Sequence, residues 1–168
     1  MISELLSFLP DSLPDSHPFP PAKERTAWQG LPLRVKQRFL QAEEAELQTP
    51  LAPLPLSLWL DFTHTGQRAP WEAAYFSRRA RLCALVCAEC VEHTGRFLDA
   101  IADTVWALCE ESAWQLPAHN SYVRDTPQLP LPDTSQPIVE LFAAETGALL
   151  ALTRYLLHDE LDTAAPGI

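Results

Sequence analysis

The sequence predicts an all-α protein, and three observations carry that prediction. From Trp71 to Glu111 the chain contains no proline and a single glycine, Gly95. Over that stretch Leu82, Leu85, Val86, Val91, Phe97, Leu98, Ile101, Val105, Trp106 and Leu108 recur at steps of three and four, the period of an amphipathic helix. No alternating apolar and polar run of useful length signals a strand. Thirteen of the 16 prolines gather in three clusters that divide helical stretches.

Taken in order, residues 1–22 form an irregular lead-in, because Pro10, Pro14, Pro18, Pro20 and Pro21 exclude regular helix. Residues 23–163 form the helical domain. Ala22 to Leu47 is helix-rich, with Leu33, Val35, Phe39, Leu40 and Leu47 on one side and Lys36, Arg38, Glu43 and Glu44 interleaved. Pro50, Pro53 and Pro55 then force a second extended segment ending near Trp59-Leu60-Asp61-Phe62. About forty residues from Trp71 exceed one ordinary helix, so two are expected. The break falls at His93-Thr94-Gly95, with Gly95 as the residue that leaves the helix. Residues 117–137 hold Pro117, Pro127, Pro130, Pro132 and Pro137, a long irregular loop of the kind that often carries function. The last helix starts near Pro137, capped by Ser135 or Asp133, and carries Ile138, Leu141, Phe142, Leu149, Leu150, Leu152, Tyr155 and Leu156. Residues 164–168 are a frayed end.

A chain of 168 residues suits one domain and can bury roughly 70% of its unfolded surface. The net charge of −10 argues against nucleic acid and anionic membrane as partners, since both require a basic footprint. Five glycines are too few for an easy phosphate-cradling loop. The start, Met1-Ile2-Ser3-Glu4-Leu5-Leu6, lacks a basic region, and no run approaches the ~18 apolar residues of a membrane span. The expected location is therefore cytoplasmic, unless further sequence precedes Met1. No metal and no cofactor is expected.

Cys83, Cys87 and Cys90 have a spacing with which three thiolates can hold a 4Fe–4S cluster, as in radical SAM enzymes. Here they lie in a helical pattern, on one face with Leu82, Val86 and Val91, and read as small core residues. Cys109 is read the same way. His64, Arg68, Arg78, Arg79 and Arg81 read as a solvated face, with an arginine tying the loop to Glu72 or Glu110. Glu140, Glu145, Asp159, Glu160 and Asp162 likewise read as a solvated helix face. No nucleophile elbow, HExxH site or phosphate loop is present.

The richest segment is Glu110-Glu111-Ser112-Ala113-Trp114-Gln115-Leu116-Pro117-Ala118-His119-Asn120-Ser121-Tyr122. Two carboxylates, an indole, an imidazole, an amide and a phenol stand at a helix C-terminus, where carboxylates oppose the helix dipole. Tryptophan offers a face for a sugar ring, and Asn, His and Glu make directed hydrogen bonds to hydroxyls. The plainer alternative is a polar helix end with Trp114 filling the core.

Several strings resemble the N-terminal part of the heparinase II/III-like polysaccharide lyases. They are Phe62-Thr63-His64-Thr65-Gly66-Gln67-Arg68, Trp71-Glu72 with Tyr75 and Arg78-Arg79, the stretch from Trp106 to Asn120 ending in Trp114-Gln115-Leu116-Pro117-Ala118-His119-Asn120, and Leu141-Phe142-Ala143-Ala144-Glu145-Thr146. The resemblance covers roughly Leu47 to Asp162. It implies helical hairpins forming an (α/α) toroid, incomplete here, because about two hairpins cannot close a ring.

The family's chemistry is β-elimination of uronate-containing polysaccharides, in which a base removes the proton next to a neutralised carboxylate. The resemblance implies a substrate-groove element at this end of the ring, with most of the catalytic set in later hairpins. Glu111, Trp114, His119, Asn120 and Arg68 are the implied substrate-binding residues. His119 and Tyr122 are the catalytic candidates. Trp114 would stack on a sugar, His119 and Asn120 would contact hydroxyls or a carboxylate, and Glu111 would accept hydroxyl protons or orient His119. Arg68, Arg78 and Arg124 would offset the acidic charge locally. The implied partners are an acidic polysaccharide or oligosaccharide and the remainder of the toroid. The competing reading is a small non-enzymatic helical interaction domain or a degenerate remnant.

Overall fold

The computed structural model describes residues 17–121, 123, 129–133, 135 and 139–168, with the side chains of residues 42 and 43 outside that set. Among the described residues the regular elements are all helical. They are α1 (Arg25–Gln29), α2 (Leu33–Gln48), α3 (Leu56–Thr65), α4 (Ala69–Glu92), α5 (Leu98–Cys109), a single 3₁₀ turn (Pro117–His119), α6 (Leu141–Leu156) and α7 (His158–Ala164). The longest, α4, is the central post. Helices α1, α2, α3, α5 and α6 pack on it, while α7 bridges α5 and α6.

The stripe that makes α4 central is visible in its spacing. Trp71, Tyr75, Arg79, Leu82, Val86 and Cys90 follow one another at steps of three or four, and all are buried. Pro70 sits in its first turn, where a missing N–H costs nothing, and Glu72 complements the positive end of the dipole. Two clusters form along the post. Leu82, Leu85, Val86, Ala88 and Cys90 join Phe97, Ile101, Leu108, Leu156, Leu157 and Leu161 in an aliphatic core. Trp71 and Tyr75, nearer the start, join Trp59 and Leu116 in an aromatic one.

The expected break between α4 and α5 is present, with a different residue at the exit. His93 takes the left-handed conformation (φ 57°) at the end of α4, and Gly95 (φ 81°) takes a second one two residues later. A left-handed non-glycine residue costs about 1–2 kcal/mol, so the corner needs outside support. The fully buried Glu89 supplies part of it by accepting from the Gly95 N–H (2.7 Å) and the Phe97 N–H (3.2 Å). Arg25 closes the helix end by donating to the Cys90 and Val91 carbonyls at 2.7 and 2.8 Å. His93 Nε2 lies 2.6 Å from Glu160 Oε1 on α7. The lead-in is also fixed at its end, since Ala22 is fully buried and its N–H donates to Leu156 O.

Four expectations are corrected. The second proline cluster starts a helix instead of prolonging an extended segment. Pro55 stands just before the first residue of α3, and the proline-free Leu56–Thr65 run folds until Gly66 (φ 77°) ends it. The last helix begins at Leu141, not near Pro137, and its cap is Glu140, whose carboxylate accepts from the Ala143 N–H at 2.8 Å. Asp133 instead accepts from the Ser135 N–H within the loop. That helix is also two, because Leu157 leaves helical geometry before α7. Finally, Leu33, Cys83 and Cys109 are exposed, and Cys90 alone of the four cysteines is fully buried. The helical face shared by Cys83, Cys87 and Cys90 rotates from solvent into the core along α4. Pro127, Pro137 and Ile138 lie outside the described residues. No described helix is long and apolar enough to cross a membrane.

Candidate functional site

The start of α4, the start of α3 and the loop after α5 enclose a cleft of about 630 Å³, within the usual range for small-molecule sites. Its apolar walls are Leu54, Leu56, Trp59, Trp71 and Leu131; its polar groups are Arg78, Glu110, Glu111 and Ser112. The two indoles meet edge to face, with centroids 5.2 Å apart and planes at 86°, and so form a rigid aromatic corner. Trp59 is pinned by its N–H donating to Pro130 O at 3.0 Å. Trp71 is 8% exposed, and its indole N–H has no acceptor among the described residues. An unsatisfied buried donor costs about 1–3 kcal/mol.

Glu111 stands where the cleft meets a buried polar network. Its Oε2 accepts from Arg79 Nη2 at 2.6 Å, and its Oε1 accepts from Arg79 Nη1 (3.0 Å) and Arg78 Nη1 (3.1 Å). The Arg79 fork is thus bidentate, the strongest geometry for this pair. The same guanidinium lies 3.3 Å over the Tyr75 ring and donates from Nε to Thr146 Oγ1. Tyr75, 1% exposed, holds its hydroxyl against Trp114 O (2.8 Å), Phe142 O (3.2 Å) and Thr146 Oγ1 (2.9 Å). Burial raises the Tyr75 pKa, opposed by the Thr146 hydrogen bond and the Arg79 charge. Arg78 also donates from Nε to Ala52 O at 2.6 Å, which leaves Nη2 without a partner among the described residues.

The sequence-predicted residues do not converge on one point. Glu111 lines the cleft, but its partners are Arg78 and Arg79, and it does not orient His119. That role belongs to Glu140, whose Oε1 lies 2.5 Å from His119 Nδ1 while its other oxygen caps α6. The His119 ring stacks on Phe142 at 5.6 Å. Trp114 is half-buried and donates from its indole N–H to Leu108 O. Asn120 is 5% exposed with its amide wholly committed: its N–H groups donate to Leu129 O and Leu131 O, and its oxygen accepts from Gln115 and from the Asp133 N–H. It shapes the loop that carries the cleft wall. Arg68 is exposed and lies 3.3 Å from Glu72, as one sequence reading expected. Tyr122 and Arg124 lie outside the described residues.

Four acidic residues expected on a solvated face have partners: Glu140 at His119 and Glu160 at His93, and, in exposed pairs, Asp159 at Lys23 and Asp162 at Arg154. Sequence reasoning missed Trp59 and the role of Arg79. A signal for Arg79 existed. It falls in step with Trp71, Tyr75, Leu82 and Val86, and a charge in a core stripe requires a buried counter-charge. Among the described residues no group of three His, Cys, Asp or Glu side chains is placed to hold a metal ion.

No protein-family model matches this chain, and no curated protein matches it.

Proposed function

We propose that this chain is the early part of a heparinase II/III-like polysaccharide lyase, that its helices belong to an incomplete (α/α) toroid, and that it supplies a saccharide-binding wall with no turnover of its own. The observation that carries this reading is the cleft at Glu111. It joins an aromatic corner to hydrogen-bonding charges, the combination that holds sugar rings. The string resemblance and the all-helical architecture support it. The Tyr75, Arg79 and Glu111 network gives the cleft a fixed floor, so a ligand meets preorganised groups. His119, held at Nδ1 by Glu140, stands exposed a few residues beyond the 110–113 segment that lines the cleft.

The test is to incubate the pure chain with uronate polymers and follow both retention and the ultraviolet absorbance of the unsaturated product. Binding without product is expected. Product formation by the chain alone would refute the claim that the catalytic set lies elsewhere. Failure to retain any saccharide would refute the saccharide reading.

A second reading, a helical interaction domain, is favoured by one observation. Trp106, Val139 and Leu141 are 62%, 85% and 68% exposed, apolar side chains that a partner surface would cover.

A further inference from the structure

We infer that the cleft between α3, α4 and the 110–113 loop is a subsite for an uncharged pyranose unit and selects against a uronate. This rests on the saccharide reading above and adds which unit of the polymer the cleft takes. The argument is one of charge. The groups lining the cleft include one cation, Arg78, and two carboxylates, Glu110 and Glu111. Arg78 donates to Glu111 at 3.1 Å, and the second guanidinium on that carboxylate, Arg79, is 8% exposed and lies behind it. The two arginines and two glutamates therefore balance, with no surplus positive charge facing the cavity. A sugar carboxylate entering there would be desolvated against Glu110, which is exposed at the rim, without a guanidinium left to itself.

A neutral ring meets a better match. Its apolar face packs on the accessible apolar wall of Leu54, Leu56 and Leu131, which the buried Trp59–Trp71 pair completes. Its hydroxyls can donate to Glu110 and accept from Arg78 Nη2. Hydroxyls both donate and accept, so they suit a site that mixes carboxylate, guanidinium and the Ser112 hydroxyl; a carboxylate only accepts. A lyase acting on a mixed polymer would then hold the uronate at a different part of its groove.

The experiment uses sugars that differ only at C6. Methyl glucoside and methyl glucuronide form one pair, methyl galactoside and methyl galacturonide another, with methyl N-acetylglucosaminide as a third neutral probe. Saturation-transfer NMR on the 168-residue chain reads each. A neutral sugar is expected to give at least a threefold stronger response than its uronate twin. Glu110→Gln, at an exposed side chain with no hydrogen bond or ion pair among the described residues, is expected to narrow that gap at least threefold. A stronger response to the uronates would overturn the inference and leave the saccharide reading standing. A gap unchanged by Glu110→Gln would overturn its electrostatic basis. No response to any probe would overturn both the inference and the saccharide reading.

Discussion

The two ends of α4 are built on opposite principles. The C-terminal half is packed in aliphatic side chains, with Leu82, Leu85, Ile101, Leu108 and Leu157 fully buried. Its polar groups, Glu89, Arg25 and His93, serve the backbone of the α4–α5 corner. The N-terminal half is aromatic and ionic, with Trp59, Trp71 and Tyr75 around a buried Arg79–Glu111 pair and a cleft beside it. Aliphatic packing stabilises without demanding partners, whereas buried charges contribute little net stability and fail badly when one is removed. The difference teaches where to look for function. The half with the buried Arg79–Glu111 network holds the cleft of about 630 Å³, while the aliphatic half carries a hollow of about 340 Å³ at the α4–α5 corner, lined by Glu89, His93 and Glu160.

The comparison breaks most sharply at Glu111. Glu111→Ala strands the buried Arg79 and is expected to lower stability by about 3–5 kcal/mol, measured by denaturant unfolding. The paired replacement Arg79→Met with Glu111→Met is expected to cost much less than the sum of the single changes. Additive losses would mean that the two side chains do not act as a pair. At the other end, Leu85→Ala opens a cavity in dry packing and is expected to cost about 2–5 kcal/mol. Folded Leu85→Ala protein should keep its saccharide response, which separates the core from the cleft.

Smaller effects sharpen the contrast. Glu89→Gln replaces an acceptor of two backbone N–H groups with an amide that can offer only one oxygen. It is expected to cost about 1–3 kcal/mol and to raise hydrogen exchange at Gly95 and Phe97. Alkaline pH tests both halves at once. Burial pushes the Cys90 thiol up to about 12, and burial also raises Tyr75. Both keep their protons in the fold where the unfolded chain loses them, so unfolding releases protons. Stability is therefore expected to fall as pH rises from the ordinary thiol range towards about 12, read as a declining unfolding midpoint. In the same range Cys90 should resist thiol reagents until unfolding, while exposed Cys83 and Cys109 react.

The helical class, the α4–α5 break and the proline-bounded loops were legible because they follow from periodicity and backbone chemistry along the chain. The start of α3 was not. Pro55 reads equally as the continuation of an extended run or as the residue before a helix, and only packing of Trp59 against Trp71 decides. The start of α6 was obscured for a similar reason: Asp133 and Ser135 both suit a cap near Pro137, and the residue that caps the helix, Glu140, is the one that also reaches His119. The site was half legible. Glu111 was singled out by its crowded neighbourhood, but its partners lie 32 and 33 residues away in sequence. Asn120 looked like a ligand contact because its chemistry suits one, yet the same chemistry suits folding a proline-rich loop.

The most direct measurement uses the five tryptophans as separate reporters. Their indole N–H signals resolve in a nitrogen–proton correlation spectrum of the labelled chain. Trp28, Trp59 and Trp114 donate to backbone carbonyls, Trp106 is exposed, and Trp71 has no described acceptor. Titration with the neutral glycoside that gives the strongest saturation-transfer response should shift Trp59 and Trp71 together and leave Trp28 and Trp106 unmoved. Shifts confined to Trp114 or Trp106, or none at any tryptophan, would contradict the assignment of the cleft as the saccharide site.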